Sequence, residues 1–426
     1  MEINNIRIDS RLVDNNSLFI AIIGDKRDGH LYLQDAYNNG CRNFIVSKNH
    51  YFFNNINLSL VSDTKKSLLS IAKYYIESFK PYTVGITGSV GKTTTRNMVS
   101  EVLSKCGNTI KNDANQNNEI GVPLTIFRLK HDTKYLALEM GMDHKGDLLK
   151  LTDIVNPNIG IITNIGMSHI GNFKDKFDLF LSKLQITDKF NDNNILIVNG
   201  DDKYLSSLRY RDLDYKLITI GFRKDNDLYC TSYKISDGKT YFKVNDIETL
   251  FVINTTSKYL IYNALFAIEV GLINNISIED IKDALTSFKN EKKRLEKIVT
   301  NKYTIINDCY NSSLDSIRCA VDYLKAFENR KVLILGDIKE LGVYEKDVIE
   351  TIPSIINKCC DLVIYIGDNI KYAVSLSNDL NYIYFENKED FYKRADTLLC
   401  KDDVILIKAS NSCNFDEITK YLIGNN

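Results

Sequence analysis

The chain reads as an α/β protein of three successive units. These are a small N-terminal α/β domain over 1–81, a central P-loop domain with a mostly parallel sheet over 82–297, and a C-terminal Rossmann-like α/β domain over 298–426. Three observations lead there. The 426 residues suffice for roughly three domains. Short apolar runs of strand type alternate with helix-spaced segments along the whole chain, as parallel sheets require. Residues 84–95, V-G-I-T-G-S-V-G-K-T-T-T, carry one such run into a glycine-rich loop and then a helix.

In the first unit, strands are expected at 18–23, 43–46 and 58–61, and helices at 31–39 and 64–79. Asp9, Ser10 and Arg11 form one polar cluster, and Asp28, Gly29 and His30 a second. Both fall at strand or loop edges, where polar side chains are free to meet a nucleotide-like ligand. Turn-forming aspartate and glycine explain them equally well.

The central unit opens with a strand at 82–87 and a loop punctuated by Gly85, Gly88 and Gly91. Such a loop turns backbone N–H groups onto an anion, and the helix that follows adds a partial positive charge. Lys92 is placed to reach outer phosphates and the Thr93 hydroxyl to hold Mg2+. The usual G-x-x-x-x-G-K-[ST] spacing is not met literally, because Ile86 stands in its first position and the glycine, Gly85, comes one place earlier. Further strands are expected at 135–140, 159–163 and 195–198. Glu139 and Asn164 close two of them, at the carboxyl ends where open α/β sheets bind ligands, and His169 follows. An acid beside a phosphate loop suits Mg2+, although a solvated strand-end acid is the commoner case. Lys183 lies in a helix-patterned stretch, 177–189, where a surface lysine is the default reading.

The third unit repeats the alternation. Strands are expected at 303–307, 331–335, 362–366, 381–384 and 404–408, and helices at 313–326, 346–358 and 390–399. Polar groups at strand ends, Asp337 and Lys408, are placed to complete a site shared with the central unit.

Composition excludes several classes. Apolar residues at 44% and charged residues at 26% are ordinary for a globular chain, so disorder is not favoured. Fifty-four basic side chains against 55 acidic ones leave no global field for a nucleic acid or a membrane surface. Nine scattered cysteines without a C-x-x-C argue for reduced thiols over a disulfide framework or zinc cluster. The opening M-E-I-N-N-I-R-I-D-S has no basic stretch ahead of an apolar core, and no apolar run is long enough to span a bilayer. A cytoplasmic protein without membrane insertion is expected, and the absence of coiled-coil patterning fits a monomer.

The motifs together resemble the Mur ligases, ATP-dependent enzymes that add amino acids to the peptidoglycan precursor. The resemblance runs nearly end to end. It rests on I-D-S-R at 8–11, L-F-I-A-I-I-G-D-K-R-D-G-H at 18–30, T-G-S-V-G-K-T-T-T at 87–95 and N-Q-N-N-E-I-G-V-P-L-T at 115–125. It continues with L-E-M-G-M at 138–142, I-T-N-I-G-M-S-H at 162–169, Y-N-A-L at 262–265, D-C-Y-N at 308–311, L-D-S at 314–316 and L-G-D-I-K-E-L-G at 335–342. The second and third of the central strings are most similar to the branch that adds the D-Ala-D-Ala dipeptide to UDP-MurNAc-tripeptide. The resemblance implies ATP and Mg2+ as cofactors, a UDP-MurNAc-peptide and D-Ala-D-Ala as substrates, and an acyl phosphate between them.

It also implies roles. Gly88, Ser89, Gly91, Lys92, Thr93 and Thr94 would cradle the ATP phosphates, with Thr93 and Glu139 on the first Mg2+ and His169 and a carbamylated Lys183 on the second. Lys92, His169 and Lys183 would be the catalytic residues. Asn263 would face the adenine, and Arg294, Asp308 and Asn311 the ribose and phosphates. Asp9, Ser10, Arg11, Asp28, Gly29 and His30 would meet the uridine moiety, while Asn117, Asn118, Glu119 and Lys408 would serve the rest of the precursor. Gln185 and Asn411 stand where the family carries an acid and an arginine. That motivates an alternative, a paralogue joining a different carboxylate and amine. A nucleotide-dependent switch without ligation is the reading from another class.

Overall fold

A computed structural model describes residues 3–24, 27–48, 53–113, 115–356, 359–378 and 381–424. Its strands form three sheets. The first is all parallel, with Asn5–Arg7, Ser17–Ile20, Asn43–Val46 and Asn57–Leu60 in sequence order. It buries Phe19, Ala21, Phe44 and Val46 on one face, under Leu33 and Ala36. The helix Thr64–Phe79 follows, started by Asp63, whose carboxylate accepts from Lys65 N and Lys66 N. Leu68, Ala72 and Ile76, four residues apart, form its buried stripe.

The central sheet has nine strands. From one edge they run Ile247–Ile253, Lys239–Val244, Leu228–Ser236, Lys216–Gly221, Ile195–Asn199, Ile159–Ile162, Tyr82–Thr87, Thr133–Glu139 and Asn108–Lys111. The first two pairings are antiparallel and the remainder parallel. The strand leading to the phosphate loop is thus interior, flanked by Ile159–Ile162 and Thr133–Glu139, with Ile86 in register with Glu139 and Thr87 with Ile162. That register sets the loop, the acid and the segment after Ile162 together at the carboxyl end of the sheet.

The third sheet runs Glu296–Val299, Thr304–Asn307, Val404–Lys408, Lys331–Gly336, Leu362–Ile366, Tyr382–Phe385, parallel except for its first pairing. One buried apolar cluster includes Leu138 and Ile162 of the central sheet, Ile165, Ile170 and Leu341 between the sheets, and Ile317 and Leu335 of the third unit. The third unit is therefore packed against the central one, through the segments at 165–170 and 341 and not sheet on sheet.

Several expectations need correcting. The helix expected at 346–358 is two, Glu345–Glu350 and Ile352–Ile356, because Pro353 has no N–H to donate to the carbonyl four residues back. Its expected end at Lys358 lies outside the described residues. The stretch 31–39 begins as a 3-10 turn, Gly29–Tyr32, before the α-helix Leu33–Asn38, and 177–189 is helical over Lys176–Leu184 with a 3-10 turn Gln185–Thr187. The antiparallel extension of the central sheet was not anticipated.

Candidate active site

The phosphate loop is shaped by what lies under it. Gly88 has φ +140, and a Cβ there would stand 1.9 Å from Thr163 Oγ1, so only glycine fits. Gly91, at φ +89, caps the helix Lys92–Leu103 with no side chain between its N-terminus and the cavity. Gly85 serves differently from the loop role its position suggests: it sits within the strand, where a Cβ would approach Met140 Sδ to 2.7 Å. Asn164 holds the loop from below, its carbonyl accepting from Ser89 N (3.0 Å) and its side chain exchanging two hydrogen bonds with Val90 (3.0 and 2.8 Å). Lys92 turns its ammonium onto the carbonyls of Gly88 (2.8 Å) and Ser89 (3.2 Å), and burial lowers its pKa.

Glu139 is buried, unlike the solvated strand-end acid that its type suggests. Its Oε2 accepts from the Thr93 hydroxyl (2.6 Å) and its Oε1 from Asn117 Nδ2 (2.8 Å), while the Asn112 side chain clasps its backbone N–H and carbonyl. Arg96, also buried, stands 3.8 Å from Glu139 Oε2 and pairs with Glu291 at 2.6 Å. Next to this pair Asn263 donates to the Gly91 carbonyl and to Thr95 Oγ1. Thr94 lines the cavity beside it.

His169 occupies the left-handed region, φ +60, uncommon for a residue with a Cβ. Its Nδ1 lies 2.6 Å from Glu340 Oε2 of the third unit and 3.3 Å from Asp143 Oδ1. Lys183 is the largest departure from expectation. In place of a surface lysine there is a side chain 1% exposed on the inner face of its helix. Burial first and the Lys92 charge second push its pKa well below the ordinary lysine value, with Asp143 opposing them.

The third unit forms the opposite wall of a cavity of about 1030 Å³. Arg294 lies 3.9 Å over the Tyr310 ring. Asp308 accepts from Leu295 N through one oxygen and from Lys408 Nζ (2.6 Å) through the other, and Lys408 also donates to the Asn311 carbonyl (3.0 Å). Asn117, Asn118 and Glu119 line the same cavity, Asn118 by capping the helix Gly121–Ile126 and Glu119 in a 2.6 Å ion pair with Lys65.

The cluster of Asp9, Ser10 and Arg11 and that of Asp28, Gly29 and His30 do not line this cavity; the N-terminal unit reaches it through Gly24 and Lys65. Asp9 pairs with Arg11 at 2.6 Å, which brings its carboxyl down to about 2. His30 Nε2 accepts from Ser47 N, so its proton sits on Nδ1, 2.6 Å from Asp28 Oδ1. Against burial, which pushes it up, Lys48 and His30 hold the Asp28 carboxyl well below the usual range. Sequence reasoning passed over Arg96, Asp315, Glu340 and Lys65. The first three sat inside or beside quoted motifs, and only the packing of the units shows what they touch.

Family models match twice, the Mur ligase middle domain over residues 86–271 and the Mur ligase, glutamate ligase domain over 293–411. A UDP-N-acetylmuramoyl-tripeptide–D-alanyl-D-alanine ligase from Buchnera aphidicola subsp. Baizongia pistaciae is 33% identical, over 99% of this chain and 93% of that protein. The chain belongs to the Mur ligase family. The enzyme of the same name from Bacillus subtilis is 31% identical over 99% of this chain and 93% of its own. Two solved structures share this Mur ligase fold. MurF from Acinetobacter baumannii has a TM-score of 0.92 at 24% identity, covering 99% of this chain and 94% of that one. MurF from Thermotoga maritima in complex with ADP has 0.88 at 23%, covering 99% and 97%.

Proposed function

We propose that this Mur ligase uses ATP to join D-Ala-D-Ala to UDP-MurNAc-tripeptide through an acyl phosphate. The observation that carries the reading is the Thr93–Glu139 pair at the mouth of a phosphate loop that opens into a cavity walled by the third unit. A precursor carboxylate oxygen attacks the γ-phosphorus and ADP departs. The dipeptide amine then attacks the acyl carbon, loses a proton, and phosphate leaves. Phosphoryl transfer of this kind asks for positioning and charge offset. The loop N–H groups and Lys92 supply both when Lys92 turns from the loop carbonyls to the phosphates.

The residues fit Mg2+. Among the described residues no three His, Cys, Asp or Glu side chains converge as a metal cluster. A hard cation that keeps waters and phosphate oxygens needs only one or two carboxylates, and Thr93 and Glu139 are oxygen donors in contact. When bound, the ion offsets charge on the phosphoryl oxygens. His169 and Lys183 would serve a second ion. Burial, by disfavouring the charged amine, favours the neutral form that adds CO2, forming an N–C bond and releasing a proton, and the resulting carbamate would carry the carboxylate that lysine lacks. Asn263 would face the adenine, Arg294, Asp308 and Asn311 the ribose and phosphates. The N-terminal clusters would hold the uridine end, with Asn117, Asn118, Glu119 and Lys408 along the rest of the precursor.

The three sheets support a division into a precursor-binding unit, an ATP-binding unit and a ligase unit, expected at 1–81, 82–297 and 298–426, with the second boundary drawn ahead of the strand Glu296–Val299, which belongs to the third sheet. No helix among the described residues is long and apolar enough to cross a membrane. A cytoplasmic monomer is the state we propose. Incubation with ATP, Mg2+, UDP-MurNAc-tripeptide and D-Ala-D-Ala should release phosphate only with both substrates and yield the pentapeptide by mass. Turnover with a different amine alone would select the paralogue reading, which Gln185 and Asn411 motivate. ATP hydrolysis indifferent to every acceptor would select the switch.

A further inference from the structure

We propose that Asp315 is a positioning residue that makes the phosphate loop depend on docking of the third unit, acting through the segment 164–171. The inference rests on the loop being the nucleotide site, and it concerns how that site is completed.

The segment has two faces. Toward the central unit, Ile165 N donates to Asp202 Oδ2 (2.9 Å) and Gly166 N to Ser89 Oγ (2.8 Å), while Asn164 holds Ser89 and Val90 as described above. Toward the third unit, Met167 N donates to Asp315 Oδ2 (2.9 Å) and Gly171 N to the Glu340 carbonyl (3.2 Å). Neighbouring N–H groups are therefore claimed by opposite sides: residue 166 by the phosphate loop, residue 167 by Asp315. A peptide plane is rigid, so the orientation of the 166–167 amide fixes the N–H before it to within a turn of two dihedrals.

Two further observations point the same way. A Cβ on Gly166 would lie 2.1 Å from Asp315 Oδ2 and 3.1 Å from Ser89 Cβ, so this glycine is squeezed between the loop and the docking carboxylate. A Cβ on Gly171 would lie 2.6 Å from Gly342 N, so the two units meet backbone to backbone. Asp315 itself stands in the first turn of the helix Leu314–Leu324, begun by the Ser313–Ser316 capping box, and that rigid start holds its carboxylate in place.

Hydrogen exchange of the full-length protein tests the relay without any need for ligation. In the Asp315→Ala variant, amides of 164–171 and of the loop 88–92 should both exchange at least about tenfold faster than in the parent. Asp315→Asn keeps an oxygen that accepts from Met167 N and should restore protection at both. Gly166→Ala should reproduce Asp315→Ala, and the double variant should be no worse than either, because both act on one contact. In turnover, Asp315→Ala should lower kcat about 10- to 100-fold with KM for ATP within about threefold, the signature of a contact made only when the units are docked. Faster exchange at 164–171 with 88–92 unchanged would overturn the relay, as would an unaltered kcat or additive effects of the two substitutions. Absence of ligation by the parent would refute the functional reading alone, since the exchange pattern would still decide the relay.

Discussion

Lys183 and Lys408 are each 1% exposed, one on a helix of the central unit and one at the end of a strand of the third. Their surroundings are opposite. Lys408 is met by the Asp308 carboxylate and the Asn311 carbonyl, so its charge is compensated where it lies. Lys183 forms no ion pair among the described residues, and the Lys92 charge acts on it against a smaller opposing effect of Asp143. The same side chain at the same depth is thus a clasp on a carboxylate in one place and, in the other, an amine whose charged form burial disfavours. Burial alone assigns neither role; what decides is whether a carboxylate is buried with it.

That contrast breaks in measurable ways. The largest effect is on turnover: Lys183→Ala should lower it by at least about 100-fold, with partial recovery when bicarbonate and a short acid are added. Full activity of that variant, followed by phosphate release, would remove the carbamate from the mechanism. Next comes stability. Lys408→Met leaves the Asp308 charge without its partner and should cost about 3–5 kcal/mol in urea unfolding. Lys183→Met should change stability in the other direction. With a folded pKa below the ordinary 10.5, Lys183 releases its proton on folding, so in the window between the two values stability rises with pH and the penalty is gone above 10.5. The Met variant should lose that slope and exceed the parent at neutral pH in a metal-free melt. The smallest effect belongs to the exposed pair. Arg11→Ala should leave the unfolding midpoint unchanged within error and raise KM for the UDP precursor alone.

The sequence carried more of this than was read from it. The helix Thr64–Phe79 and the strand Tyr82–Thr87 agree with expectation to the residue, because an aspartate cap starts the one and the glycine-rich loop from Gly88 ends the other. The three-stranded meander from Leu228 to Ile253 lies outside the expected strands although Asp237–Gly238, both at positive φ in its first turn, is the strongest short hairpin signal a chain offers; its polar outer face masks the alternation. Lys183 follows Leu179 and Phe180 by four and three residues, which sets it on their buried face, so helical spacing alone argued against a surface position. What spacing does not contain is the partner across the units. Glu340 reaches His169 from 171 residues away, and both hold left-handed backbone that no local preference demands.

Lys92 offers a last consequence, for ligand discovery. Its ammonium is lodged on two carbonyls of the very loop it serves. Any compound entering the cradle must replace those two bonds. An acidic group does so with a charge-assisted one, whereas an uncharged fragment forfeits them and leaves a half-buried ammonium unsatisfied. Screening aimed at this loop should therefore reward a well-placed anion over additional apolar bulk.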